Sequence, residues 1–597
     1  MSSSPPAKKR KSLTWRICYF LLCCIGAACL WYVWPVALVK PQFTISKETT
    51  YFTAPVDEEG YVNYQVALNE KVSQGVTVDN NAMVLLVKAI GPHPEGPGDL
   101  RDEFYQRLGI PRPPSEGNYL VRIDSLAKEK QWTEWTDPYV GDEWMKQVTQ
   151  RPWKSISYPR IVEWLERNRE PLSIIEEASR RPRYYAPMVF GPNAKIGQAT
   201  LLYALLPFVQ SFRNISNQLL ARAFHAMDRK EYEAAWTDLR TILRLSKQIA
   251  QGPTLIELLV GLSLQRQVAE ASNSLLEYPL PLPLLLSIQS DLKQLSPLTG
   301  IKEQVLIGER CMSLDLFLMM NRHGTGYMEV FGNGQKRELQ PANIRQLNRL
   351  RNADWDTQLK RLNAWYDNLH AMVTIADYTE QQQKWDEFRV EITDMKQAID
   401  KSRASLSWYF RSSEEEVHQV ADIMMVMMTP AVEKVNLAAR KSTQWHHLMQ
   451  LSTCIALHRQ QFGRYPVKLS ELSPGPSPVL QLDLFSGKSL QYRRTDKGYE
   501  LFSVGMNHLP QIVPGPGDAI ESEVLPDADL VFVIPRPPIP IKGLESLTEQ
   551  LDEFTFHLAN CFLHPSAVAG GCSLPQLVLS MTSAHHLASF VPSDKPR

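Results

Sequence analysis

The 597-residue chain lacks the short signatures that announce a reaction. It has no H-E-x-x-H, no G-x-S-x-G and no C-x-x-C, which excludes the familiar metalloprotease, serine hydrolase and thiol-redox arrangements. A phosphate-binding loop is missing too. Ser486-Gly487-Lys488-Ser489 has its tail, but Leu482 stands six residues before the lysine, where glycine would let backbone amides wrap a phosphate. The segment reads instead as a turn joining strands. An excess charge of either sign is also absent: 64 basic residues face 64 acidic ones, so no field argues for nucleic acid. Cysteine is scarce, with eight in all and Cys18, Cys23, Cys24 and Cys29 inside one apolar run. Cys311, Cys454, Cys561 and Cys572 remain, too few for a disulfide scaffold. Cys561 and Cys572 are close enough in sequence to bridge in an oxidising compartment, or to stay two unpaired thiols, and both readings stand.

Long hydrophobic runs are missing as well, with one exception. Ile17 to Leu38 (ICYFLLCCIGAACLWYVWPVAL) is uncharged and comes after Lys8, Lys9, Arg10, Lys11 and Arg16. As a helix it reaches roughly 33 Å, enough for a hydrocarbon core of about 30 Å. The run is too long for a cleaved signal peptide, and it continues apolar past Cys29, against lipid attachment there. Trp31, Tyr32 and Trp34 suit the outer interface. With the basic cluster on its N-terminal side, the charge bias puts residues 1–16 in the cytoplasm and the bulk of the chain outside. The expected address is the inner (cytoplasmic) membrane, single-pass, with the lipid bilayer as partner through residues 17–38.

Beyond this run the chain is read as mainly α. Residues 44–122 form a small helical segment of two or three helices, interrupted by the Pro/Gly-rich stretches Gly91 to Gly98 and Ile110 to Pro114. Residues 123–283 form a helical bundle. Arg160 to Arg180 reads as helix with Val162, Leu165, Leu172 and Ile175 in one stripe, and Ile196 to Tyr278 as consecutive helices. There Ala221, Ala223, Ala226, Ala234 and Ala235 alternate with Leu219, Tyr232, Trp236, Leu239 and Leu243, as in a tightly packed hairpin. It resembles one tetratricopeptide-type hairpin, but no second copy occurs at the required period. Gly252-Pro253 breaks the chain before a helix from Leu255 to Leu276. Pro279 to Pro283 marks a boundary, and residues 284–450 form a long-helix region, with a glycine-rich loop from Asn321 to Lys336. Its last helix runs from about Glu414 to Phe462, is interrupted at Pro430, and carries an oily face of Val417, Val420, Ile423, Met424, Met427 and Met428. Glu414-Glu415-Glu416 begin it, where negative charge complements the helix dipole.

Character changes at Gly463, a helix-stopping glycine with Pro466 just beyond. Leu490 to Arg494 and Tyr499 to Val504 flank the turn Thr495-Asp496-Lys497-Gly498, and Leu530 to Ile534 is a third strand for the same sheet. Residues 451–538 are thus a small α+β module of one helix and antiparallel strands. The tail, 539–597, holds a helix at Leu544 to Phe562 and otherwise small and polar residues.

Between Leu451 and His508, the elements Gly463-Arg464-Tyr465-Pro466, Asp483-Leu484-Phe485-Ser486-Gly487-Lys488, Leu490 to Arg494 and Gly498-Tyr499 to Val504-Gly505 stand in order. Together they resemble the C-terminal region of type II secretion pseudopilins of the major, G-type class. The whole chain, with GYVNYQVALNE, EPLSIIEEASRRPRYYAP and QGPTLIELLVG, resembles a family of uncharacterised bacterial single-pass membrane-anchored proteins, which implies no activity. The anchor departs from pseudopilins: it lacks their glycine-then-aromatic processing start and their glutamate at the fifth mature position. A tether is therefore expected, not a filament core.

Pseudopilins of this class bind calcium in the loop after the last matched strand. Here that loop, Ser503 to His508, lacks the aspartate-glycine pair; Asn507 and Asp518 are left to contribute oxygens, and calcium is not expected. His447, Cys454 and His458 fall on one face of the long helix, but His447 and Cys454 are about 10 Å of rise apart. Only Cys454 and His458 have adjacent-turn spacing, and two ligands are too few. No metal, cofactor or catalytic residue is therefore assigned. His446 with His447, and His585 with His586, read as solvent-exposed. The expected function is a membrane-anchored extracytoplasmic scaffold acting through contacts with other envelope proteins. The alternatives are an extracytoplasmic hydrolase with an unrecognised site and a secretion-apparatus subunit.

Overall fold

The computed structural model describes residues 38–94, 100–136, 138–190, 201, 204–205, 208–301, 303–324, 344–405, 411–472, 475–504 and 530–536. The hydrophobic run 17–37, the tail helix 544–562, Cys561, Cys572, His585, His586, Asn507 and Asp518 lie outside them. Among the described residues, no helix is long and apolar enough to cross a membrane.

The described chain is mainly helical, with a small antiparallel sheet near its end. Three short helices come first, α1 (Tyr64–Val72), α2 (Ala82–Ile90) and α3 (Asp102–Leu108). Asn63 and Asn81 cap the first two by accepting the amides of Val66 and Met83. Then come α4 (Ile123–Glu129), α5 (Pro138–Gln150), α6 (Pro159–Arg167) and α7 (Arg169–Ser179). The single helix expected over 160–180 is thus two. Buried Asn168 separates them, its side chain accepting the amide of Val121 at 2.7 Å and donating to that residue's carbonyl at 3.0 Å. The helical reading from Ile196 also fails at its start. A short ribbon, β1 (Val189–Phe190) with β2 (Ala204–Leu205), precedes the first helix there.

The hairpin comes next as α8 (Val209–Asp228) and α9 (Tyr232–Ile249), packed through Leu219, Ala223, Ala235, Trp236, Leu239 and Leu243, all buried. The α10 helix (Leu255–Leu275) starts at a capping box of Thr254 and Glu257, a sequence-local way of satisfying the first amides. It carries apolar residues on two faces because two cores claim it. Ile256, Val260, Leu264 and Val268 enter one hydrophobic cluster, while Leu255, Leu258, Leu259 and Leu262 enter the other. Helices α11 (Leu282–Gln294), α12 (Glu303–His323), α13 (Ile344–Arg351), α14 (Trp355–Val373) and α15 (Tyr378–Arg403) complete the bundle. The α12 helix runs into the start of the glycine-rich stretch, ending only at His323.

The 50-residue helix α16 (Ser413–Phe462) is the second shared element. Its N-terminal half, including Val417, Met424, Val432 and Ala439, packs into one cluster, and Leu448, Leu451 and Ile455 into the other. It opens with a Ser412–Glu415 capping box and stops at Gly463, whose φ of 69° is left-handed. The expected interruption at Pro430 does not occur, and the helix passes through it. The missing donor costs about 3 kcal/mol locally, which burial of Val432 and Val435 on the next turn offsets. Strands β3 (Gln491–Arg494), β4 (Tyr499–Ser503) and β5 (Leu530–Ile534) then form an antiparallel sheet in that order.

Candidate functional site

The sheet is seated on α10 and α16 through specific contacts. Phe532 of β5 lies 5.7 Å, centroid to centroid, from Trp445 of α16, and Asn273 of α10 donates to the carbonyl of Val533 at 3.2 Å. Asp483 fastens the loop before β3. Its carboxylate accepts the Ser503 hydroxyl and the Val504 amide, both at 2.9 Å, and the Phe485 amide at 3.0 Å. Gln444 of α16 accepts the next amide, that of Leu484, at 2.8 Å. The Ser486–Ser489 stretch is, as expected, a turn, with Gly487 at φ 67°.

At the far end of α16 this assembly leaves a groove. Pro281 and Pro283 open α11 where no helical donor is required. The helix then runs antiparallel to the end of α16: Gln450 donates to the Leu292 carbonyl at 2.9 Å, and Gln289 approaches Cys454 at 3.5 Å. Beyond those contacts the helices and the α10–α11 connection leave a groove of about 90 Å³, with Leu276, Leu280, Leu285, Tyr278, Ala456 and Arg459 among its lining. The guanidinium of Arg459 donates to the Tyr465 hydroxyl at 2.7 Å, which fixes one wall. Apolar surface continues outward: Leu282 and Leu286, on the same stripe of α11 as Leu285, are 48% and 50% exposed, and Phe462 at the end of α16 is 53% exposed. The described chain also ends here. The amide of Arg536 donates to Glu277 at 2.7 Å, and its guanidinium reaches Ser274 at 3.1 Å, one turn from Leu276 and Tyr278.

Of the residues singled out for metal, the two described ones, Cys454 and His458, are not part of a metal centre. Half-buried Cys454 faces Gln289, and burial pushes its thiol upward. His458 sits against Phe462, ring centroids 4.5 Å apart, and its imidazole is shifted down by burial and by nearby Arg464. Among the described residues no group of three or more His, Cys, Asp or Glu could hold a metal ion. The expectation of exposed His446 and His447 is corrected: they are only 1% and 8% exposed. His446 lies 2.9 Å from the Leu292 carbonyl, and burial lowers its imidazole to about 4. Helical spacing could not reveal this, because α11 covers that face from more than 150 residues away.

A second cluster was invisible in the sequence. Glu309 of α12 accepts the amide of Leu255 at 2.8 Å, beside Glu257 of the capping box. Both carboxyls are buried and pushed up to about 7, mainly by desolvation, with Glu257 adding repulsion at Glu309. Gly308 lets the segment close: a Cβ there would stand 1.8 Å from the Pro253 carbonyl oxygen. With both carboxylates spent on the first amides of α10, this arrangement caps a helix where the two cores meet. It offers no surface to a substrate. Only T-x-x-E at 254–257 signalled it, and nothing local pointed to Glu309. No family model, curated protein or solved structure matches this chain.

Proposed function

We propose that the protein is a single-pass, membrane-anchored extracytoplasmic scaffold, in which α16 is a strut holding the pseudopilin-like sheet module away from the bilayer for contact with other envelope proteins. One spatial relationship carries this reading. The chain just beyond the 17–38 run is clamped at one end of the strut, and the sheet stands toward the other. The amide of Val39 donates to Asn348 at 2.8 Å, Arg351 donates to the carbonyl of Val39 at 2.5 Å, and Thr44 is held by Asp356 at 2.7 and 2.8 Å. In the same helix, α13, Arg349 donates to Ser413 at 2.8 Å, at the first turn of α16. From there α16 runs 50 residues, roughly 75 Å, and the sheet module packs against its later turns at Gln444 and Trp445, about 45 Å along it.

The resemblance to major pseudopilins supports a contact role for the module, while the absence of the processing start from the anchor supports a tether. Membrane fractionation and then affinity purification of the full chain test it. Retention in the membrane fraction with stoichiometric envelope partners supports the scaffold. A partnerless monomer that turns over ester, peptide or glycan substrates replaces it with the hydrolase reading.

A further inference from the structure

We propose that the groove at the end of α16 is the docking site of the chain's own C-terminal segment 544–562, which covers it as an amphipathic helix. The chain leaves Arg536 hydrogen-bonded to Glu277, next to the groove residues Leu276 and Tyr278, so its continuation starts at the groove's edge. Residues 537–543 (PPIPIKG) are proline-rich and extend roughly 3 Å per residue, enough to cross the opening and too short to leave its neighbourhood. The next nineteen residues place Leu544, Leu547, Leu551, Phe554 and Leu558 at alternating spacings of three and four, one apolar stripe. Glu545, Glu549, Asp552 and Glu553 fall outside that stripe.

The groove matches this segment in shape and chemistry. Leu276, Leu280 and Leu285 form an apolar floor, Leu282, Leu286 and Phe462 extend it outward as exposed surface, and Arg459 supplies a cation to the wall. A free volume of about 90 Å³ accommodates one large apolar side chain of an inserted helix, the rest of its stripe lying along the exposed surface. A short tether holds the segment at a local concentration on the order of millimolar, so even a weak intrinsic affinity keeps the groove filled. This holds whether or not the sheet module contacts envelope partners.

The test uses the full chain in detergent. A photoactivatable benzophenone side chain replaces Gln460, which is exposed and lines the groove, and the cross-linked peptides are identified by mass spectrometry. The expected product is a cross-link to a peptide within 544–562 at monomer mass. Cross-links to a second copy, to lipid or to another protein, or no tail peptide at all, overturn the proposal. Hydrogen exchange supplies a second readout. The pair Leu551→Asp with Phe554→Asp should speed exchange at 276–285 and 456–463 by about tenfold. Unchanged rates there would sink it.

Discussion

The carboxylate of Asp483 accepts the backbone amide of Val504 at 2.9 Å, tying the loop before β3 to the end of β4 across 21 residues. The same side chain accepts the Ser503 hydroxyl and the Phe485 amide, and it is 1% exposed. Removing it leaves two buried amides without partners, each costing about 1–3 kcal/mol. Asp483→Ala is therefore expected to loosen the sheet while the helices stay intact. Hydrogen exchange should accelerate in 499–503 and 530–534 but not in α8 or α9. Equal acceleration throughout would show that the module and bundle unfold as one unit.

Two glycines are required by close approach of backbone. A Cβ on Gly308 would lie 1.8 Å from the Pro253 carbonyl oxygen, and one on Gly498 would lie 1.7 Å from that of Ile534. Neither neighbour is a flexible side-chain end, so the backbone itself has to shift. Gly308→Ala is expected to cost about 3 kcal/mol in global denaturant unfolding, and Gly498→Ala to detach β5 at lower global cost. Gly475→Ala, where the nearest atom is 3.8 Å away, serves as the control with little change.

The buried carboxyls Glu257 and Glu309 make stability depend on pH. Each stands at about 7 in the folded chain against an ordinary 4.5, so the folded state binds more protons between those values. Their contribution is complete below about pH 4.5 and is lost as pH rises to about 7, on the order of 3 kcal/mol for each group. His446 acts in the opposite sense. Its folded value of about 4, against 6.5, makes stability rise with pH between them and masks part of the carboxyl effect. The difference between a variant and its parent isolates the carboxyls. Glu257→Gln should compare more favourably with the parent at pH 8 than at pH 5, and Glu309→Gln likewise, read by denaturant unfolding at both pH values. A difference that does not change with pH rules this assignment out.

Features fixed by neighbouring residues were legible in the sequence. The Gly252-Pro253 break, the helix from Leu255, the stop at Gly463 and the Thr495–Gly498 hairpin all rest on local backbone chemistry, and the structure places them within a residue or two. β5 also joined the sheet as its alternation implied, with Leu530, Phe532 and Ile534 buried. What escaped depends on remote partners. Asn168 breaks a helix because Val121 is there to pair with it, Pro430 stays in a helix because both cores grip that helix, and His446 is hidden because α11 crosses it. The groove had no signature at all, since its walls come from two helices remote in sequence and the connection between α10 and α11.

The distance from the bilayer to the sheet tests the strut most directly. With full-length protein in lipid nanodiscs, a donor fluorophore at Glu414 or at Lys497 would be read against an acceptor on the lipid headgroups. The expected result is strong transfer from Glu414 and weaker transfer from Lys497, because the sheet module packs on α16 at Gln444 and Trp445, about 45 Å along the helix from Glu414. Equal transfer from both positions, as from a helix lying flat on the membrane, or failure of the full chain to enter the bilayer, would contradict it.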